Sequence, residues 1–159
     1  MHAKKLVAAL LGTLATAALA MGSSSGADTV HVGTAMVNGK STQVLTDAQG
    51  LTLYYNTKDS ATKVTCTGAC AKFWPPLLAS GKYTAPQSLM SGLSVFKGPN
   101  GPQLEYHGHP LYTYLPDTKP GQAKGEGAFK IWFVATPALK AAAAAASNQA
   151  TSSSSSSSW

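Results

Sequence analysis

Between Asp28 and Pro137 the apolar residues fall in short runs, many alternating with polar ones, and no stretch keeps the three-to-four spacing of a helix face. Such runs, cut by Gly, Pro, Asn and Asp, predict strands and turns. Residues 29–37 read as a first strand, turning at Asn38-Gly39, the strongest short hairpin signal. Residues 43–46 and 51–55 read as two strands joined by Asp47-Ala48-Gln49-Gly50, where Asp starts a turn and Gly accepts positive φ. Residues 93–97, 104–106, 111–114 and 131–134 read as further strands, with a loop at 98–102 and a turn around Gly108. Alternation puts Leu51, Leu53 and Tyr55 on one face, and sets Leu111 and Thr113 against Tyr112 and Tyr114. One face is expected to pack inward, with Trp74 and Trp132 as its largest members.

Part of this pattern occurs twice. The phrase Gly-x-x-Leu-Tyr-x-x-x-x-Asp runs from Gly50 through Leu53 and Tyr54 to Asp59, and again from Gly108 through Leu111 and Tyr112 to Asp117. Lys72/Lys130 and Trp74/Trp132 keep the same offset of 58 positions. An offset without drift means two copies of one supersecondary unit. The expected fold is all-β: one small domain over residues 29–137, with repeat units at about 43–78 and 101–137. Tyr54, Asp59, Trp74, Tyr112, Asp117 and Trp132 are expected to be structural residues of the repeat. For the tryptophans that means core anchors, with a ligand-stacking platform as the alternative. For Asp59 and Asp117 it means capping a turn by bonding the backbone two residues on. Calcium would need more oxygen ligands, and neither Asp59-Ser-Ala-Thr nor Asp117-Thr-Lys-Pro offers a second carboxylate.

The two ends differ from this middle. Lys4 and Lys5 precede an apolar run at 6–19, and Ala18-Leu19-Ala20 supplies a small-x-small cleavage pattern. The run is shorter than the roughly 20 residues that span a bilayer. Residues 1–20 are therefore expected to be a removed signal peptide and 21–28 a linker, leaving no transmembrane segment after cleavage. Residues 138–159 form an Ala/Ser-rich tail, in which 138–146 could make a short helix behind Thr136-Pro137 and the serine run is a flexible end. The expected location is outside the cytoplasm, periplasmic or extracellular.

Charge narrows the partners. Formal net charge is +6, and loss of Lys4 and Lys5 leaves ten lysines against six acids. The chain has no arginine, whose rigid fork nucleic-acid readers lean on, and its lysines are dispersed. Nucleic acid is not the expected partner. An envelope or extracellular partner is, with weak attraction to anionic surfaces.

Candidate chemistry is sparse. Cys66 and Cys70 are the only cysteines, and in an exported protein an isolated close pair reads as a disulfide. The alternative is copper: a Cys-x-x-x-Cys pair with a distant histidine, His107 or His109, could offer soft ligands to Cu(I). Those histidines flank Gly108 and read first as exposed residues of a hairpin turn; His31 stands alone. No cofactor is otherwise expected. No serine lies in a Gly-x-Ser-x-Gly elbow, and Gly125-Glu126-Gly127 does not follow a strand as a nucleotide loop would. With two glutamates in all, Glu105 and Glu126, paired-carboxylate hydrolysis has little to work with. A non-catalytic binding or structural role is the expectation, with a periplasmic copper-binding or electron-transfer protein as the alternative.

Three segments carry a resemblance: Leu53-Tyr54 to Asp59, Cys66-Thr-Gly-Ala-Cys-Ala-Lys-Phe-Trp-Pro-Pro-Leu77, and Gly108-His-Pro-Leu-Tyr-Thr-Tyr-Leu-Pro-Asp117. They resemble the bacterial secreted-repeat lipoproteins of unknown function, over roughly residues 44–137. That resemblance implies an exported protein of two repeats and transfers no catalytic residue. Two departures stand out. No cysteine follows the signal region to take a lipid, and Asn56 stands where the first repeat usually places an aromatic, which Tyr114 keeps in the second.

Overall fold

The computed structural model describes residues 29–79 and 81–142. The readings of a signal peptide, a linker and most of the tail lie outside the described residues. Seven strands dominate: β1 (His31–Val37), β2 (Lys40–Thr46), β3 (Tyr54–Asn56), β4 (Leu93–Gly98), β5 (Gly101–Tyr106), β6 (His109–Pro110) and β7 (Trp132–Val134). Two helices of about one turn, α1 (Ala69–Phe73) and α2 (Gln87–Met90), and a 3-10 turn at Ala128–Lys130 join them. The sequence shows no periodicity for these because a single turn needs none. The all-β expectation holds.

Local chemistry explains the hairpins. β1 and β2 pair antiparallel across Asn38 (φ 51°) and Gly39 (φ 77°), the two left-handed residues that such a tight turn requires. β5 and β6 turn in the same way at His107 (φ 50°) and Gly108 (φ 77°). Asp47 closes the longer loop between β2 and β3, its Oδ1 accepting from the amides of Gln49 (3.0 Å) and Leu51 (2.8 Å). The strand expected at 51–55 is a single bridge at Thr52 followed by β3.

The two copies are interlocked rather than set side by side. The strand read at 131–134 is present but does not pair within its own copy; β7 pairs with β3 of the first, with Tyr54 opposite Val134 and Asn56 opposite Trp132. The reverse exchange also occurs. Leu77 of the first copy donates to Leu111 of the second (2.9 Å), as Ala135 of the second donates to Leu53 of the first (2.8 Å). Leu115 bonds Phe73 as Thr57 bonds Ile131. At the centre, Tyr54 and Tyr112 exchange backbone bonds of 2.8 and 2.9 Å. Swapping the copies reproduces the pattern, so the domain has a local twofold relation running between these tyrosines.

Both faces of the central strands are buried, which corrects the expectation of a single inward face. Leu53 and Leu111 join Val30, Leu45, Leu104 and Tyr106 in one core. Tyr54 and Tyr112 turn the other way, to Trp74, Trp132, Val44 and Cys66. Alternation is kept, but the exchanged strands and their flanking loops cover the second face too. The tail also begins differently. Residues 137–138 form a turn and 139–142 run irregularly back over the β5–β6 hairpin, so the helix expected from 138 does not start. Here Ala142 donates to the His107 carbonyl (2.9 Å) and Tyr106 Oη to that of Pro137 (3.0 Å), partners that a helix would have lost.

Candidate functional site

The repeat residues meet in the second core. Tyr54 Oη donates to Asp117 Oδ2 at 2.5 Å, and Tyr112 Oη donates to Asp59 Oδ2 at 2.6 Å, so each copy's tyrosine bonds the other copy's aspartate. The remaining carboxylate oxygens hold the loops. Asp59 Oδ1 accepts from the Thr65 amide (2.8 Å) and hydroxyl (2.6 Å), and Asp117 Oδ1 from the Lys124 amide (3.0 Å). Neither aspartate bonds the backbone two residues on; Asn56 does that, accepting from Lys58. Burial comes first, and the bond to a carboxylate second, in pushing both phenols far above the ordinary tyrosine range. A neutral phenol beside a carboxylate is the stable arrangement here.

Trp74 and Trp132 stack face to face, centroids 3.9 Å apart and planes 1° from parallel, with 3% and 2% of their surfaces exposed. Tyr54 meets Trp74 edge-on at 5.4 Å, and Tyr112 meets Trp132 edge-on at 5.0 Å. Then the symmetry breaks. Tyr114 stacks on Trp74 at 4.1 Å, but its counterpart beside Trp132 is Asn56. The missing ring leaves space. A cleft of about 420 Å³ opens there, lined by Asn56, Trp132, Trp74, Ile131 and the two cysteines, among others.

The rim is built in two ways. On the first-copy side Cys66 and Cys70 form a disulfide, Cα atoms 5.2 Å apart, with Gly68 (φ 58°) turning the short loop into α1 and Phe73. On the second-copy side Gly125 passes so close to the stack that a Cβ there would lie 2.6 Å from Trp74 Cη2. The chain then turns through Gly127 (φ 71°) into two consecutive left-handed residues, Phe129 (φ 52°) and Lys130 (φ 60°). Left-handed backbone costs such side chains roughly 1–2 kcal/mol each. The result is a phenylalanine 82% exposed at the mouth of the cleft. Nothing in the local sequence announces this; no Gly or Asn marks position 129.

The histidines lie elsewhere. His107 sits in the β5–β6 turn and His109 on β6, its ring against Tyr55 at 4.7 Å and its Nε2 at 3.1 Å from the Lys140 carbonyl. Burial holds His109 below the ordinary histidine range, the Lys140 carbonyl partly opposing it. Among the described residues no group of three or more His, Cys, Asp or Glu is placed to hold a metal ion. His31 borders a separate recess of about 380 Å³ that also includes Asp47, at the outer end of the β1–β2 hairpin.

One property of the surface was hidden in the composition. Of the five acids among the described residues, Asp47, Asp59, Glu105 and Asp117 are buried and Glu126 is half-buried. Each takes an internal hydrogen bond; Glu105 accepts from Ser94 and Glu126 from the Val134 amide. All ten lysines in the same span are exposed. Net charge therefore understates how positive the outside is.

Among the described residues no helix is long and apolar enough to cross a membrane. No curated protein and no solved structure matches the chain. The family described as a secreted repeat of unknown function matches it twice, over residues 35–78 and 94–136, more than half of the sequence. Each match takes in the strands that one copy exchanges with the other. The chain belongs to this family of secreted repeats.

Proposed function

We propose that this is an exported domain with a binding rather than a catalytic role, and that the aromatic cleft is its site. The observation that carries this reading is the broken symmetry. Where Tyr114 stacks on Trp74, the equivalent position beside Trp132 holds the smaller Asn56, and the cleft borders both. The cleft is lined by the two tryptophans, the bonded cysteines and Phe129, which stands at its rim at the cost of backbone strain. Apolar walls with few polar groups are the usual composition of small-ligand pockets, and strained residues gather at such sites. Asn56 and Thr65 supply the polar contacts that would orient a guest.

The test is a titration followed by tryptophan fluorescence, with an uncharged aromatic dye (N-phenyl-1-naphthylamine) as probe. Saturable one-to-one quenching is expected in the folded protein. Asn56→Tyr should abolish it by restoring the second ring while leaving the circular dichroism unchanged. Unsaturable binding, or binding untouched by Asn56→Tyr, would refute the assignment. The copper alternative would need Cys66 and Cys70 as free thiolates, whereas here they are bonded to each other. Reduced protein that binds Cu(I) tightly, and loses it in the Cys66→Ser/Cys70→Ser and His107→Ala variants, would move the assignment there.

A further inference from the structure

The same end of the molecule carries an apolar patch ringed by lysine. Phe73, Leu115 and Phe129 are 51%, 57% and 82% exposed. Phe73 and Phe129 stand at the cleft, and Leu115 is tied to Phe73 by its amide (3.0 Å). Each has an exposed lysine beside it. Lys72 precedes Phe73 and Lys130 follows Phe129, while Lys124 Nζ donates to the carbonyl of Pro116, next to Leu115 (3.0 Å). Asp59, Asp117 and Glu126 are engaged inward by Tyr112, by Tyr54 and by the Val134 amide.

We propose that this face docks on an anionic lipid bilayer, with Phe73, Leu115 and Phe129 entering the headgroup region and Lys72, Lys124 and Lys130 lying among the phosphates. Large exposed apolar side chains rimmed by polar ones mark interaction surfaces. A protein partner would be expected to meet the lysines with carboxylates and the apolar residues with a shaped pocket. A bilayer supplies both chemistries in one layer, charge above and hydrocarbon below, and attracts each nearby lysine by about the same increment. Charge complementarity favours it further because the described surface presents lysine almost unopposed. The proposal does not require the cleft to hold a ligand.

The experiment is sedimentation of the purified full chain with vesicles of phosphatidylcholine alone and of phosphatidylcholine with phosphatidylglycerol. Binding is expected only to the phosphatidylglycerol vesicles, weakening as salt rises. Lys72→Gln with Lys130→Gln should lower the partition coefficient roughly thirtyfold, on the usual increment per lysine. Phe129→Ala should lower it about tenfold, by loss of apolar area. Its position on the rim lets circular dichroism verify that the fold is intact. No binding to phosphatidylglycerol vesicles at low salt would overturn the proposal. So would equal binding to neutral vesicles, or binding that ignores all three substitutions. Binding to a soluble polyanion such as polyphosphate, without binding to vesicles, would assign the surface to an anionic polymer instead. Dye binding in the cleft is a separate readout, so failure of either reading leaves the other standing.

Discussion

The two copies deliver a tryptophan to the same stack by different means. In the first, a disulfide across five residues fixes the loop, and α1 leaves Phe73 exposed while Trp74, just past its end, turns inward. In the second, the positions of the cysteines hold Lys124 and Ala128, and the chain relies on Gly125 for close approach and on Gly127 for the turn. Both tryptophans end up buried and parallel. The bond is therefore one solution to holding the loop and not a condition for the stack. The copies also differ in the third ring, Tyr114 on one side and Asn56 on the other, and the cleft lies on the side that lacks it.

The largest test of the equivalence is to remove each tryptophan. Trp74→Ala and Trp132→Ala should each cost about 3–5 kcal/mol in denaturant unfolding, because each removes a buried indole from the shared stack. Costs that differ by more than about 2 kcal/mol would break the symmetry argued from the stack.

Alkali tests the Tyr–Asp pairs. The folded state holds Tyr54 and Tyr112 neutral far above the ordinary range. For an acid with a raised folded pKa, the stabilisation is complete below the unfolded value near 10 and is lost as pH rises above it. Stability should fall by about 1.4 kcal/mol per pH unit for each phenol over that window. Tyrosine ionisation, followed by ultraviolet absorbance, should include a step that coincides with unfolding. Tyr54→Phe and Tyr112→Phe should each shrink that step equally.

Loss of the disulfide is a smaller effect. Cys66→Ser with Cys70→Ser should cost about 2 kcal/mol, the value for closing so short a loop. Its near-ultraviolet dichroism should persist, since the second copy holds Trp132 with no bond of its own. Collapse of that signal would mean the first loop cannot be held as the second is. Smallest of all, Phe129→Gly should raise stability by about 1 kcal/mol by relieving the left-handed backbone. It should also weaken dye binding in the cleft, separating the strain from its use.

Much of this was legible in the residues. Asn38-Gly39 and Asp47 to Gly50 set their turns by local chemistry, and the Gly-x-x-Leu-Tyr phrase announced two copies. The exchange between copies was not legible. A fixed offset is the same whether β7 pairs with its own copy or with the other, and only the tertiary pairing of Asn56 with Trp132 decides. The aspartates were found as repeat residues, but their partners across the twofold relation could not be, because Tyr54 and Asp117 are 63 positions apart. Asn56 was visible as a departure from the repeat, though its meaning depends on Tyr114 stacking on Trp74. Composition counted acids and lysines but did not show that the acids point inward.

The exchange of closing strands has a consequence for how such a domain could arise. A chain with one copy would have its Leu53-type and Leu77-type backbone groups unpaired, since each finds its partner in the other copy. It could satisfy them only by trading strands with a second identical chain about a twofold axis, as in a swapped homodimer. Joining two such chains end to end would give one chain with the same exchange of strands. Once joined, the two halves are free to diverge, and a ring lost from one of them becomes an opening that a symmetric pair would have had to accept twice.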